Sequence, residues 1–527
     1  MTTLRTDRPE TLYRPDAATA STKSSTKITI AVYLTLLVGF TALYTATAQR
    51  EFSWGDCGTR QLFILHNHYY SVGDALALIH PMYIVMGHAV FRAAPAGYEM
   101  WAVNAFSGLG MAVALANLSL LVHRLTGRRW AGMCVALLLG VSHTTWWLST
   151  MAETYTWSLA GMSLECLLLA SLIRNPRWGT LAGLALVNGW GWSIHNFTLL
   201  TLPVHLTVMA YLMIRRRLPV WSVGPALGAY VVGAALYIYL ILVNTLEVGF
   251  PAAIRAALFG GYGDDVLGVG SWDMVLINYG LMGLNIATLL PLLAVVGWWH
   301  FRRRLGGETA LAMAAITAIH VVFVARYTID DQFTFVLPSL WMIALAGGVG
   351  LVALADRSKK WRTIAGASVA LGLIVAPAAY GLLPALAPEK NRKPFRDEIR
   401  YWVTPWKHNE HSADLFVQAV WIQLQPVCDA GKEPIVLVDA TPYFPLAISK
   451  AMDNPCPPVS LQRPDQTKPL PTQADATALR AAAGGRPIYV LTPDIEPHGD
   501  IPPALKGLVE AVKDNPGDCL YRLKWKE

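Results

Sequence analysis

Long apolar runs alternate with short polar turns from residue 28 to about residue 387. Most runs approach the roughly 20 residues that a helix needs to cross a bilayer. The first, ITIAVYLTLLVGFTALYTATA (28–48), is long for a secretory leader core, and no convincing cleavage site follows it, so it reads as a retained span. Between pairs of runs stand basic segments: HRLTGRR (123–129), RNPR (174–177), RRR (215–217), HFRRR (300–304) and DRSKKWR (356–362). The positive-inside rule places all of them in the cytoplasm. Consecutive basic segments are separated by two apolar runs and one polar turn, and a last run, 363–387, leads outward. The alternation predicts about eleven spans in a transmembrane region 28–387. Residues 1–27 then form a cytoplasmic tail, and the chain from 388 onward is exterior.

One region breaks the rhythm. Only one crossing fits between the first span and HRLTGRR, and residues 99–122 supply it. LALIHPMYIVMGHAVFRAA (76–94) is interrupted by His80, Pro81, His88 and Arg92. It is read as a short interfacial helix on the outer leaflet. The first exterior loop is therefore long, 49–98.

Composition agrees with this pattern. The 527 residues are 54% hydrophobic and 15% charged, against about 25% charged for a soluble domain. The formal net charge of +7 resides largely in the cytoplasmic segments and calls for no nucleic-acid partner.

From residue 388 charge and proline rise and no spanning run remains. EPIVLVDAT (433–441) and RPIYVLTPD (486–494) are β-branched apolar runs bounded by turn residues, which predicts buried strands. YFPLAISKAMD and ATALRAAAG have helical character, and CLYRLKWKE alternates like a final strand. The order predicts a small α/β domain over 388–527 with a partly parallel sheet, and it carries no phosphate loop or catalytic serine motif. Of the six cysteines, Cys134 and Cys166 fall in apolar spans. Cys57, Cys428, Cys456 and Cys519 fall outside, where disulfides are permitted. Cys428 and Cys456 are the favoured pair because they bracket a strand–helix unit. No metal-ligand spacing occurs.

The same topology gathers ionisable residues on the outer side. They are Asp56 in SWGDCGTRQ (53–61), Glu153 in MAETY, His195 in WSIHNF, Asp264 and Asp265, and Asp330 and Asp331 in TIDDQF. His66, His68, Asp74 and His80 join them from the first loop. Taken singly, each has a plain reading as a turn residue, a cap or a core histidine, and Trp146, Trp147, Trp190, Trp192 and Trp272 read as interfacial aromatics. Their convergence on one face is the feature that points to a site shared by several spans.

These motifs, in this order, resemble the GT-C superfamily of membrane glycosyltransferases, and within it the bacterial branch similar to protein O-mannosyltransferases. The resemblance rests on SWGD after the first span, IHPMYIVMG further along the loop, VNAFSGL on the next span, HTTWWLSTMAETYTWSL, GWGWSIHNFTLLTLP and YTIDDQFTFVLPS. It covers residues 30–340, and the WW…AETY block is its most specific part. The chain departs from the family pattern at Thr59, where a Glu is usual, and at Met82-Tyr83, where a Pro-Gly-Tyr-Pro run is usual.

The resemblance implies a GT-C-like polytopic α-helical enzyme of a bacterial inner membrane. It would transfer a sugar from a polyprenyl-phosphate donor to a hydroxyl of a protein, lipid or glycan acceptor, with inversion. Such chemistry needs a base on the face opposite the leaving group. Asp56 is the candidate, with Glu153 orienting a sugar hydroxyl or the acceptor. Arg60, His195 and Arg326 are candidates for the donor phosphate, and His80, Trp147, Tyr155, Asn196, Asp330 and Asp331 for sugar or acceptor contacts. The only substrate-like cofactor implied is the lipid-linked donor; the sugar, the use of a divalent metal and the oligomeric state stay open. A lipid-linked-sugar transporter or flippase, or a non-catalytic assembly protein, is the alternative reading. A transporter would be expected to carry duplicated halves and charges at the bilayer midplane, and neither is evident.

Overall fold

A computed structural model of the chain describes residues 22–71, 73, 76–260, 272–327, 329, 331–386, 396–438, 440–453, 455–457, 459–462, 473–491, 507–512 and 519–526. Asp74, Asp264, Asp265 and Asp330 lie outside the described residues.

Every segment expected to span is helical. Thr22–Thr47, Glu99–Thr126, Tyr155–Arg174, Gly307–Arg326, Leu337–Ala355 and Lys359–Leu382 are single long helices. Val220–Gly233 with Ala235–Val248, and Met274–Thr288 with Leu290–Leu305, are pairs bent by 72° and 77°. Among the described residues, eight helices are long and apolar enough to cross a membrane, or ten if each bent pair is one span. The count differs from about eleven for identifiable reasons. Arg129–Gly140 and Trp178–Ile194 have 12 and 17 residues, short of the usual crossing length. Conversely, Leu76–Ala93 has the length and apolarity of a span, although it was expected to be too short for one. It is broken at His80, whose φ of +53° precedes Pro81, and it packs on the Gly55–His66 helix with Ile64 lying against Gly87.

The bundle core surrounds the Leu337–Ala355 helix. Trp341 is fully buried there and donates Nε1–H to the Ala114 carbonyl at 3.0 Å. Gly297 and Gly350 let this helix meet Leu290–Leu305 backbone to backbone; a Cβ at either would collide with a carbonyl of the other helix. Close approach through small residues is how helices associate where lipid removes the hydrophobic drive.

The five basic segments come together at one end of the bundle. Asp356 accepts from Arg304 at 2.8 Å and Arg128 at 3.4 Å. Glu308 pairs with Arg217 at 2.8 Å. Arg217 also reaches the Ile173 carbonyl, and Arg174 that of Arg124 at 2.8 Å. The helices that start or stop there have their other ends at Glu99, Tyr155, Arg326 and, through the Gln332–Val336 turn, Gln332, so the acidic turns share the far end.

The C-terminal region is a five-stranded mixed sheet with the order β2-β1-β3-β5-β4. Its strands are β1 (Ile435–Leu437), β2 (Ser460–Gln462), β3 (Ile488–Leu491), β4 (Val509–Val512) and β5 (Leu520–Trp525). β1 runs parallel to β2 and β3, whereas β5 runs antiparallel to β3 and β4. The strands expected at 433–441 and 486–494 and the final alternating strand are present; the short β2 and β4 were not expected, nor was the Ser412–Asp429 helix, although Ala413, Phe416, Val417, Val420, Trp421 and Leu424 recur at helical spacing on its buried face. Cys428 and Cys456 are disulfide-bonded, with Cα atoms 5.9 Å apart, and they enclose β1 and the Ala440–Met452 helix.

Candidate active site

The SWGD stretch is held before it is aimed. Gln61 accepts from the Ser53 amide at 2.9 Å and donates to Asn104 at 3.1 Å, so the loop is tied to the Glu99–Thr126 helix. Gly55 takes φ +56° and opens the Gly55–His66 helix, a conformation in which a Cβ is strained. Asp56 therefore lies in a helical first turn rather than in an irregular turn. It is exposed, and it makes no hydrogen bond or ion pair among the described residues. Gly58 has a different reason to be glycine: a Cβ there would strike the Ser53 carbonyl and crowd Phe444 of the C-terminal region.

Glu153 faces the same helix. Cys57 donates Sγ–H to its Oε1 at 3.0 Å. Its backbone is fixed by Ser107, whose hydroxyl accepts from the Glu153 amide at 2.9 Å and donates to its carbonyl at 3.1 Å. Only 6% of Glu153 is exposed. Burial pushes its carboxyl up to about 7, and the Asp56 charge adds to this, while Cys57 and Arg60 oppose it. Burial likewise pushes the Cys57 thiol well up, so it stays a neutral donor.

Arg60 is 8% exposed; one terminal nitrogen donates to the Leu78 carbonyl at 2.7 Å, and Nε has no partner. A buried guanidinium with spare donors suits a planar anionic group. Beside it His80 and His195 stack with centroids 4.7 Å apart. His80 Nδ1 lies 3.0 Å from the Ile194 carbonyl and so must be the donor, leaving Nε2 as an acceptor. His195 is the converse: its Nδ1 accepts from the Phe197 amide at 3.1 Å, so Nε2 carries the proton. Burial first, then Arg60, drives the His195 pKa down to about 3. His195 can therefore offer an N–H to a phosphate but not a positive charge.

Tyr155 packs on His195 at 5.0 Å and on Phe335 at 5.4 Å. Phe335 in turn contacts Tyr327 at 4.9 Å, which brings the Arg326 end of its helix to the site. The charges of Asp331 and Asp56 both act on the Tyr155 hydroxyl. Asn196 does something else. Its amide donates to the Ala257 and Leu258 carbonyls at 2.9 and 3.2 Å and anchors the Phe250–Phe259 helix. Trp147 is buried and faces the C-terminal region, donating to the Tyr401 carbonyl at 3.3 Å and stacking on Trp402 at 5.5 Å. His66 and His68 sit at the opposite end of the Gly55–His66 helix from Asp56, with His68 against Phe63. No group of three or more metal-ligating side chains occurs among the described residues.

Two sets of residues escaped the sequence reading. Glu165, fully buried inside a span, accepts from Thr201 at 2.7 Å and Asn188 at 3.2 Å. Asn188 also holds the Thr198 carbonyl at 3.0 Å, so this network fixes the turn below His195. A carboxylate in the middle of an apolar run was its available signal. The second set, Arg396, Tyr401, Trp402 and Lys407, comes from the C-terminal region; the mixture of cations and aromatics in RDEIRYWVTPWKHNEH (396–411) could have marked it.

The fold around this site is that of the GT-C membrane glycosyltransferases, which bears out the superfamily resemblance at the level of fold. The structure is similar to that of ArnT from Cupriavidus metallidurans bound to undecaprenyl phosphate, with a TM-score of 0.53, 13% identity, and coverage of 95% of this chain and 98% of that one. ArnT from the same organism in the apo state gives 0.48 at 14% identity, covering 95% and 97% of the two chains. No protein-family model and no curated protein sequence matches the chain. The O-mannosyltransferase branch rests on the sequence motifs alone.

Proposed function

We propose that the chain is an integral-membrane glycosyltransferase that moves a sugar from a polyprenyl-phosphate-linked donor to a hydroxyl acceptor. The observation that carries this reading is the pairing of an exposed Asp56, without a partner among the described residues, with a buried Arg60 one helical turn away whose Nε is likewise unpartnered among them. The similar fold of a protein that binds undecaprenyl phosphate makes a lipid-linked donor the natural candidate.

In the step we infer, the acceptor oxygen attacks the anomeric carbon and its proton passes to Asp56. The bond from the anomeric carbon to the phosphate oxygen breaks, its electron pair leaves with the polyprenyl phosphate, and the configuration inverts. Arg60 supplies positive charge to the leaving phosphate, and His195 Nε2–H a neutral donor. Arg326 is the further cation candidate. Glu153, half-protonated near neutrality, can donate to or accept from a sugar hydroxyl. Tyr155, His80 and Asp331 line the same region and are the proposed sugar or acceptor contacts.

We further propose that the basic end is cytoplasmic and the site end exterior. Two features support this: the basic segments meet at one end of the bundle, and the disulfide-linked C-terminal region packs at the other. The chain then belongs in a bacterial inner membrane, with a protein, lipid or glycan acceptor. The test is incubation of membranes with radiolabelled polyprenyl-phosphate sugar, comparing wild type with Asp56→Asn. Label should leave the polyprenyl phosphate carrier only with wild type. Equal transfer by both proteins would remove Asp56 from the reaction, and label that merely changes leaflet would indicate a flippase.

A further inference from the structure

The Ala440–Met452 helix of the C-terminal region packs on the Asp56 helix through Phe444, and the segment 396–412 reaches both carboxylate loops. Arg396 places its guanidinium 5.6 Å from the Trp54 ring and 4.5 Å from the Tyr401 ring. Lys407 places its ammonium 4.2 Å from the other partner of that stack, Tyr401, and 5.5 Å from Trp147. Rings and cations thus alternate: Trp54, Arg396, Tyr401, Lys407, Trp147. The first ring stands two residues before Asp56 and the last stands in the helix that leads to Glu153.

Hydrogen bonds fasten the same segment. Trp54 Nε1 donates to Ser412 at 2.8 Å, and the Lys407 amide to the Thr47 carbonyl at 2.8 Å. Thr150 donates to the Pro405 carbonyl at 2.8 Å, and the His143 ring to that of Trp402 at 2.8 Å. The Tyr401 carbonyl receives both Trp147 Nε1 and Lys407 Nζ. The Tyr401 hydroxyl contacts Met151 Sδ at 3.8 Å, two residues before Glu153.

Lys407 is the unexpected member. It is 1% exposed and has no carboxylate within ion-pair distance among the described residues. An apolar side chain would fill that space without the cost of burying a charge. A buried cation kept between aromatic faces is stabilised by the ring quadrupoles; here one ring, Trp147, stands before Glu153 and the other, Tyr401, belongs to the segment itself, while Arg396 joins Tyr401 to Trp54 beside Asp56. Resting on the glycosyltransferase reading above, we propose that Lys407 is a positioning residue: it clamps the C-terminal segment to the Glu153 loop, as Arg396 joins that segment to the Asp56 loop, and so sets the separation of the two loops for the transfer step.

The charge state of Lys407 gives this role a distinctive readout. Burial pulls its ammonium down to about 7; Glu410 and Cys57 act to raise it, while Arg396 and Arg400 act to lower it. His143, on the helix packed beside it, feels its charge in turn. The cation is present below this pKa and is lost as pH rises through about 7.

The test uses the purified full-length protein with wild type, Lys407→Met and Lys407→Arg side by side. Displacing a reacting group by about 1 Å typically costs on the order of a hundredfold. Lys407→Met should therefore lower kcat about ten- to a hundredfold and leave the donor KM within about threefold, since Arg60 and His195 are untouched. Lys407→Arg keeps a cation on the rings at every accessible pH. It should restore kcat and remove the decline of wild-type kcat above about pH 7, whereas the titration of Glu153 remains in both proteins. An active wild type with Lys407→Met at wild-type kcat overturns the clamp alone, as does a Lys407→Arg profile that declines like wild type. A wild type that transfers no sugar overturns the glycosyltransferase reading and the clamp with it. If Lys407→Met fails to accumulate in the membrane, the pH profile of Lys407→Arg decides.

Discussion

The two ends of the helical bundle use the same residue types in opposite ways. At the basic end Arg128, Arg304 and Arg217 meet Asp356 and Glu308 on the surface, each cation with a carboxylate and each pair wet. At the other end Glu153, Arg60 and Lys407 are nearly enclosed, yet none forms an ion pair among the described residues. Exposed pairs contribute about 0–1 kcal/mol, so the pairs at the basic end add little to stability. Buried, unpaired charge is costly unless something compensates it: the aromatic faces do so for Lys407, and in the proposed function the donor phosphate does so for Arg60.

Several measurements would break or sharpen that contrast. The largest effect is expected from Asp56→Asn, which keeps shape and hydrogen bonding but cannot accept the acceptor's proton. Its transfer rate should fall about a hundred- to ten-thousand-fold, while donor binding and membrane abundance stay near wild type. Turnover within a few-fold of wild type would assign Asp56 to the plain surface of a helix end and shift attention to Glu153. Next is Arg60→Gln, where loss of a preorganised donor to the leaving group should cost about a hundred- to a thousand-fold in kcat. The chromatographic profile of the purified variant provides the folding control. An unchanged rate would leave the phosphate to His195 and Arg326.

Replacing Cys428 and Cys456 together by Ala should be smaller and should act on stability. The bridge closes a 28-residue separation, and loss of such a link costs about 3–4 kcal/mol by the loop-entropy estimate. Protease sensitivity should rise in the C-terminal region while the helical bundle resists; loss of both together would show that the sheet is needed for the bundle to fold. The smallest effect is expected at the basic end. Asp356→Asn breaks two exposed ion pairs, so it should change stability by less than about 1 kcal/mol and transfer by less than about twofold. A strong loss of activity there would contradict the division between the ends.

Much of this arrangement was legible because it is written in local pattern. Apolar runs of spanning length, the spacing of the basic segments and the β-branched strands at 433–441 and 486–494 follow from periodicity over a few residues. The Cys428–Cys456 link was legible for the same reason, since the strand–helix unit it brackets is a local one. Length and local character pulled apart in two places. Leu76–Ala93 has the apolarity of a span despite His80 and Pro81, and Trp178–Ile194 is shorter than its apolar run suggested. Asn196 sits in a motif next to His195, but its side chain points to the carbonyls of a helix some 60 positions later.

The sequence by itself determined that the chain is a helical membrane protein with a basic side, an acidic and aromatic side and a sheet-bearing C-terminal region. Hydrophobic transfer and charge asymmetry act on each segment separately, so they need no knowledge of the fold. Only the tertiary structure decided which polar groups are enclosed and which residues share the site. Trp147 and Tyr401 are 254 positions apart, and Trp54 and Ser412 are 358 apart. Contacts of that range leave no periodic trace, because packing places one short segment over loops whose own patterns are already satisfied. Glu153 and Lys407 are ordinary charged residues in the sequence. Their burial, which raises the Glu153 carboxyl and lowers the Lys407 ammonium toward neutrality, exists only in the folded chain.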